Sequence, residues 1–399
     1  MKKKILFVID SLICAGAEKS LITLLSLIDY SKYDVDLQLF KYGGEFEKYL
    51  NKNVNLLPPF QYTTFIEKSL SKQLFSLIHI KNIKMFLMRI LYSTLLRINH
   101  QLNNVIIARI YWQTIGSCIE KNPISYDYAI AYAQGVPTFY VIDKVHAKKK
   151  FGWVNVSYRL NGKEKRFQSN YYHKLDKIIT VSDSAFNVFS EVFPTLKKNM
   201  TTIWDITDYN FILHMSQEGI SYTDNYAGKR ILTVARLNKH QKGYDIALEA
   251  CRILKEKGIN FRWYAIGKGP YREEMERYIK ENGLEKHFIL LGTTPNPYPF
   301  FKDAYLYVQT SRHEGFGLTI AEARLLNIPV VTTEFDAVYN QMIQGKNGIV
   351  TKQDPQMVAE AIEKLLTDSN LYQSIKNFLE KEKKGNTEEI NKFYDLINA

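Results

Sequence analysis

The chain has 399 residues, 46% of them hydrophobic and 24% charged, with 20 Gly, 11 Pro and 3 Cys. That composition excludes a dominantly disordered chain, a collagen-like repeat and a disulfide scaffold, and the length suits two domains of about 200 residues. The net charge is +12 and unevenly placed: residues 1–200 hold 28 Lys and Arg against 15 Asp and Glu, and the remainder hold 25 against 26. An excess confined to one half points to an anionic partner there, either nucleic acid or a membrane surface.

In chain order, Lys2-Lys3-Lys4 before the apolar residues 5–9, with Ala15-Gly16-Ala17 beyond, imitates a signal peptide. Asp10 ends the apolar stretch after five residues, short of the roughly 7–15 that a secretory signal needs. Residues 5–9 instead read as a buried strand, 17–28 as an amphipathic helix, 35–40 and 54–57 as strands, with turns at Gly43-Gly44 and Pro58-Pro59. This strand–helix alternation implies a parallel sheet. Asp34-Val35-Asp36, which mimics a metal-binding pair of carboxylates, reads as the solvent-facing edge of a strand. Strands at 128–132, 151–156 and 178–181 and a helix at 184–192 continue the pattern, and 128–142 reads as a buried strand and a loop.

Residues 60–121 interrupt the alternation. Leu74, Phe75, Leu77, Ile78, Ile83, Phe86, Leu87, Ile90, Leu91, Leu95 and Ile98 recur at near-helical spacing among Lys68, Lys72, Lys81, Lys84, Arg89, Arg97, Arg109 and Lys121, against only Glu67 and Glu120. Two or more basic amphipathic helices are expected. The cations interrupt every stretch long enough to cross a membrane, which takes about 18 or more largely uncharged residues. Cys14, Cys118 and Cys251 are scattered without metal-ligand spacing and fit a reducing cytoplasm.

After a polar segment, 205–229, a second alternating series begins. Strands are expected at 230–235, 261–266, 288–291, 305–309 and 329–333. Helices are expected at 244–257, 271–281, 318–326, 355–367, 371–381 and 387–397. Two doubly wound α/β domains in tandem account for the whole pattern.

In such sheets ligands bind where strands end and helices begin. Three turns of this kind carry chemistry-bearing residues. Asp10–Gly16 leads into a helix, but no GxGxxG follows the strand, which argues against a nicotinamide or flavin site. Arg236 leaves a strand, and Lys242, expected to open the next helix, supplies a second cation for a diphosphate. Two solvated surface cations are the plainer alternative. In Ser311–Ala323, Gly315 and Gly317 leave backbone amides open ahead of a helix whose positive end favours phosphate. Glu314 before the glycines and Glu322 after them suit sugar hydroxyls. A diphosphate bracketed by two sugars fits that order, and a helix with ordinary acids in its first turns is the alternative.

The span Glu314–Glu322, two glutamates around Gly-Phe-Gly-Leu, resembles the motif of family 4 retaining glycosyltransferases of GT-B fold. Ala15-Gly16-Ala17-Glu18 resembles that family's Gly-Gly-Ala-Glu loop. Arg236 with Lys242-Gly243 resembles its phosphate-binding pair, and Gly267-Lys268-Gly269-Pro270 its Gly-x-Gly-Pro. Pro329-Val330-Val331 and Gly345–Gly348 also fit. The resemblance is specific over 230–350 and moderate over 1–30.

It implies two Rossmann-like domains facing across a cleft: an acceptor-side domain, 1–205, with the helical insertion at about 60–121; a nucleotide-sugar domain, 206–385; and a last helix, 386–399, crossing back. Glu322 would take the ribose and Glu314 the donor sugar hydroxyls. Amides near Gly317 and Leu318, with Arg236 and Lys242, would hold the diphosphate. Gly267, Gly269, Gly315, Phe316 and Thr319 would line that site, and Gly16 would approach from the other domain. Asn155 and Gly135 would lie on the acceptor side. No metal or other cofactor is implied, and the donor, UDP- or GDP-linked, is a substrate. Ala15 replaces a glycine of the family motif, Lys242 follows Arg236 by six residues rather than five, and Asn155 stands where the family often has histidine.

Basic amphipathic helices in the acceptor half suit a membrane interface. The expectation is a cytoplasmic enzyme, peripheral on the inner face of the cell membrane, acting on a lipid-linked glycan in capsule or other envelope polysaccharide synthesis. Lys72, Lys81, Lys84, Arg89 and Arg97 would meet the anionic surface. Packing of the apolar stripe on the core remains the alternative for these helices. For function, the alternatives are a soluble enzyme acting on a small sugar or glucan and a catalytically silent nucleotide-binding partner. Nucleic-acid binding is disfavoured, because the aromatics mix with aliphatics in helical stripes.

Overall fold

The computed structural model describes residues 2–69, 80–99, 103–156 and 159–398. The chain divides into two compact units, Met1–Trp204 with Ile390–Ala399, and Asp205–Glu389.

The first unit is a seven-stranded parallel sheet built from β1 (Lys3–Ile9), β2 (Tyr33–Leu39), β3 (Val54–Leu56), β4 (Ser125–Ala131), β5 (His146–Val154), β6 (Lys177–Thr180) and β7 (Met200–Thr202). Its order is β3-β2-β1-β4-β5-β6-β7. Residues 5–8 are fully buried, as expected of a central strand covered on both faces. The chain runs outward from β1 to β3 and returns to pair β4 on the other side of β1, with Ile5 opposite both Val35 and Tyr128. The loops after β1 and β4 therefore meet at the reversal of strand order, where doubly wound sheets bind ligands.

The return carries helices Gln61–Glu67, Ile80–Ile98 and Asn104–Ile115. Phe65, Met85, Trp112 and Ile115 join the core beneath them. The helix Glu389–Asn398 contributes Phe393 to this unit, against Phe7 at 6.0 Å and Trp153 at 6.5 Å. Beside it Tyr394 stacks on Tyr33.

The second unit is a six-stranded parallel sheet of β8 (Lys229–Val234), β9 (Phe261–Ile266), β10 (Phe288–Gly292), β11 (Leu306–Gln309), β12 (Val330–Thr333) and β13 (Gly348–Thr351), in the order β10-β9-β8-β11-β12-β13. Helices Tyr244–Glu256 and Pro355–Thr367 cover one face through Ile246, Leu254, Val358 and Ile362. Helices Tyr209–Met215, Tyr298–Lys302 and Leu318–Leu325 cover the other through Ile212, Phe301 and Ile320. Strand order reverses between β8 and β11, so the loop bearing Arg236 lies beside the loop bearing Glu314.

Several sequence expectations are corrected. The stretch 128–142 begins in the buried strand β4, as expected, but continues as helix Val136–Lys144 rather than as a loop. Pro137 sits in its first turn, where an N–H has no intrahelical partner to lose. Helix Gly162–Tyr172 and strands β7 and β13 were not anticipated. The polar segment 205–229 contains helix Tyr209–Met215, started by the Asp208 side chain accepting from Phe211 N. The strand holding Asp34 and Asp36 lies inside the sheet, between β3 and β1, and the solvent-facing reading of the pair holds for Asp34 only. Asp34 is exposed at its start, whereas Asp36 accepts from Asn55 Nδ2 and Tyr126 OH. Lys242 does not open the following helix but closes the short turn Lys239–Lys242, and Gly243 then reverses the chain into Tyr244–Glu256.

Candidate functional site

Two glycines close the β8 and β9 loops upon each other. A Cβ at Gly267 would stand 2.0 Å from the Ala235 carbonyl oxygen, and one at Gly269 2.2 Å from that of Leu237. Without side chains there, Ala235 N donates to Ile266 O and Leu237 N to Lys268 O, at 3.0 and 3.1 Å. Gly267 and Gly269 thus anchor the backbone on which Arg236 stands. Arg236 itself is exposed and donates to Gln241 Oε1 at 3.3 Å.

Gly243 makes the second close approach. It is left-handed, with φ 61°, and a Cβ would meet the Thr310 carbonyl oxygen at 2.0 Å. The strand-end segments then lock together: Thr310 Oγ1 donates to Lys242 O, Arg312 N to Gln241 O, and Arg312 forks onto Asp245 with two bonds of 2.9 Å. Desolvation pushes the Asp245 carboxyl up, but the Arg312 guanidinium together with the Asp245 and Ile246 backbone amides outweighs it and the net shift is downward.

This lock delivers Lys242 to Glu314. Glu314, 9% exposed, takes three donors on Oε1: Lys242 Nζ at 2.6 Å, Ser311 Oγ at 2.6 Å and Gln309 Nε2 at 2.7 Å. Gln309, at the end of β11, accepts in turn from Tyr307 OH at 2.8 Å and Thr319 Oγ1 at 2.7 Å. Burial holds the Tyr307 phenol far above its ordinary range, and Glu314 and Glu322 add to that by their charge. Tyr307 thus stays a neutral donor near both carboxylates.

Glu322 lies in helix Leu318–Leu325, 1% exposed, with Tyr298 OH 3.4 Å from Oε1. Gly317, with φ 87°, caps the start of that helix without a side-chain bond, and Leu318 and Thr319 form its first turn. Amides of a first turn have no intrahelical acceptor and attract anions. Gln341 Nε2 fixes the approach by donating to the carbonyls of Phe316 and Gly317.

The second unit therefore brings together Lys242, Glu314, Gly315, Phe316, Gly317, Leu318, Thr319 and Glu322 at the reversal of strand order, with Arg236 on the adjoining loop. What this can do chemically is hold a polyanion beside hydroxyl-accepting carboxylates. Among the described residues no three His, Cys, Asp or Glu side chains come together to hold a metal ion.

The remaining sequence candidates lie in the first unit. Gly16 opens helix Gly16–Leu27 after the β1 loop. Gly135 precedes helix Val136–Lys144, and Asn155 follows β5. These two are neighbours through Gln134, whose Oε1 accepts from Asn155 N at 3.1 Å, while Asn155 Nδ2 donates to Tyr132 O at 2.6 Å. Lys81, Lys84, Arg89 and Arg97 all lie on helix Ile80–Ile98, whereas Lys72 falls outside the described residues. Among the described residues no helix is long and apolar enough to cross a membrane.

Sequence reasoning missed Gln309, Ser311, Tyr307 and Tyr298. Gln309 had a sign of its own, an amide closing an otherwise apolar strand, which is costly unless bonded.

Two parallel-sheet Rossmann-like units, with an anion-receptive loop at the strand reversal of the second, define the GT-B class of fold. The solved structure of Anabaena HepE in complex with UDP and glucose shares this fold, with a TM-score of 0.69 at 17% identity over 98% of each chain. More particularly, residues 223–382 match the family described as glycosyl transferases group 1. An uncharacterized glycosyltransferase of Methanocaldococcus jannaschii is 23% identical over 264 residues, 57% of this chain and 64% of the relative. The capsular polysaccharide biosynthesis glycosyltransferase CapM of Staphylococcus aureus is 30% identical over 148 residues, 36% of this chain and 38% of the relative. The chain is thus related to polysaccharide-biosynthesis glycosyltransferases, and it spans less than two thirds of the length of these curated relatives.

Proposed function

We propose that the protein is a family 4 glycosyltransferase that transfers a hexose-type sugar, with retention, from a nucleoside diphosphate sugar to a lipid-linked saccharide. The setting would be envelope or capsular polysaccharide assembly at the inner face of the cell membrane. The observation that carries the reading is the Lys242–Glu314 pair beside the first turn of helix Leu318–Leu325. There a cation, backbone amides and a carboxylate meet in one loop system. HepE, whose complex contains UDP and glucose, supports a uridine-linked donor, with a guanosine-linked one as the alternative.

The chemistry follows from charge. When the bond between the anomeric carbon and the diphosphate oxygen breaks, its electron pair stays on the diphosphate. Lys242, Arg236 and the Leu318 and Thr319 amides are positioned in advance to receive that charge. Glu314 takes sugar hydroxyls, and its bonds from Ser311 and Gln309 fix its rotamer. Glu322 takes the ribose hydroxyls. The acceptor oxygen bonds to the anomeric carbon on the face the diphosphate leaves, and its proton passes to a diphosphate oxygen. None of these steps calls on a metal or cofactor.

The test is a panel of UDP- and GDP-sugars, with nucleotide release followed in the presence and absence of membrane extract. Glu322→Ala is expected to weaken donor binding, and Glu314→Ala mainly to lower turnover. Undiminished activity in both would refute the site.

A further inference from the structure

Helix Ile80–Ile98 shows its apolar side to solvent. Met85 is buried in the core, and Phe86, Met88 and Tyr92 pack against it. Tyr92 meets Tyr111 edge-on at 5.6 Å. The opposite side carries Ile80, Ile83, Leu87, Ile90, Leu91 and Ile98, which are 84%, 41%, 53%, 50%, 42% and 64% exposed. At about 100° per residue, these six lie within roughly 60° of the direction of Leu87, a stripe opposite Met85 in which the exposed Thr94 is the one uncharged polar residue. Packing on the core thus accounts for one side of the helix, and among the described residues none covers the other.

The charges beside the stripe indicate what covers it. On the same projection Lys84 flanks it on one side and Arg97 on the other, each within about 80° of its centre. Both are exposed, and Lys84 Nζ reaches back to Ser117 O at 3.0 Å. Between Glu67 and Glu120 the sequence contains no acidic residue, and Lys81 and Arg89 add to the local charge. A second copy of the chain seated here would set two cationic rims against each other. An apolar stripe between cations instead matches an acyl-chain layer beneath anionic headgroups.

We propose that helix Ile80–Ile98 lies in the plane of an anionic lipid surface, with Ile80, Ile83, Leu87, Ile90, Leu91 and Ile98 inserted below the headgroups and Lys84 and Arg97 at headgroup level. This deepens the membrane-peripheral part of the function proposed above and rests on it. It moves the main contact from the cations, which the sequence favoured, to the aliphatic residues between them. Loss of one interfacial cation costs about fivefold in binding, so Lys84→Gln with Arg97→Gln should weaken binding roughly 25-fold and only at low salt. Three acids in the stripe should weaken it by at least about 100-fold at any salt.

The experiment uses the full chain with vesicles of phosphatidylglycerol and, separately, phosphatidylcholine, read by flotation. The wild type should float with the anionic vesicles, and Ile83→Glu/Leu87→Glu/Ile90→Glu should not. Circular dichroism and sedimentation velocity of the same samples check folding and association. A wild type that ignores anionic vesicles overturns the proposal, as does a stripe variant that floats normally. A dimer that these substitutions dissociate without any lipid overturns it too. Nucleotide release from the donor in lipid-free buffer should be equal in the wild type and the stripe variant. Release without flotation would remove the membrane contact and leave the transferase standing, and flotation without release would do the reverse.

Discussion

Replacing Gln309 by leucine tests whether the buried amide holds the Glu314 loop in place. Leucine nearly conserves the volume at a position 1% exposed, so packing changes little. Three hydrogen bonds vanish together. The bond to the charged Glu314, at 2.7 Å, is worth about 1.5–3 kcal/mol. Tyr307 OH loses its acceptor inside the core, a cost of about 1–3 kcal/mol, eased because Val234 O lies 3.4 Å away as a substitute. Thr319, partly exposed, can turn to water. The sum is about 2–4 kcal/mol. For a unit of this size each kcal/mol lowers Tm by about 2–4 °C, so a fall of roughly 4–16 °C is expected in the second unit's transition. The assay is differential scanning calorimetry, with Gln309→Glu as the companion. Glutamate keeps acceptors for Tyr307 and Thr319 but sets a second carboxylate against Glu314, so it should lower turnover more than Tm. A leucine variant that melts within about 1 °C of the wild type would show that the network contributes nothing.

Gly243→Ala combines a left-handed φ, which costs a side-chain-bearing residue about 1–2 kcal/mol, with a Cβ 2.0 Å from a carbonyl oxygen. Urea denaturation should show at least about 2 kcal/mol lost, with weaker donor binding as Lys242 shifts; an unchanged midpoint would contradict the close approach. The Arg312–Asp245 pair should show its pH dependence in the opposite direction to a histidine switch. The folded carboxyl titrates below its unfolded range, so the pair's stabilisation, about 1 kcal/mol, is complete above pH ~4 and is lost as pH falls through the lower folded value. The Tm gap between wild type and Arg312→Ala should therefore hold above about pH 4 and narrow as the pH falls below it, and a widening gap would reverse the assignment.

The legible parts of the sequence were those in which one short segment carries both the pattern and the chemistry. Residues 5–9 read as a buried strand once Asp10 cut the apolar run too short for a signal peptide, and Ser311–Ala323 held its glycines and glutamates in a single loop and helix. What stayed hidden depended on partners remote in sequence. Gln309 gains meaning only once Tyr307, Thr319 and Glu314 surround it. Gly267 and Gly269 were legible as candidate donor-site glycines, but not the close approach that their lack of side chains allows to the backbone at Ala235–Leu237. Helix Val136–Lys144 was masked by its own composition, Pro followed by β-branched and aromatic residues, which locally favours strand or turn. The stripe of helix Ile80–Ile98 was visible as periodicity, but periodicity does not say which side faces the protein.

The place of Phe393 also orders events on the ribosome. Domains usually fold from the N-terminus as they are synthesised, yet the hydrophobic interior around Phe7 and Trp153 is completed by a side chain translated only after the second unit. The nascent first unit must wait, with Phe7 and Trp153 short of a packing partner, while the whole second unit is made. Chaperone dependence during synthesis should accordingly fall on the half made first, and a released chain cut back to residues 1–389 should pair a protease-resistant second unit with a protease-sensitive first one.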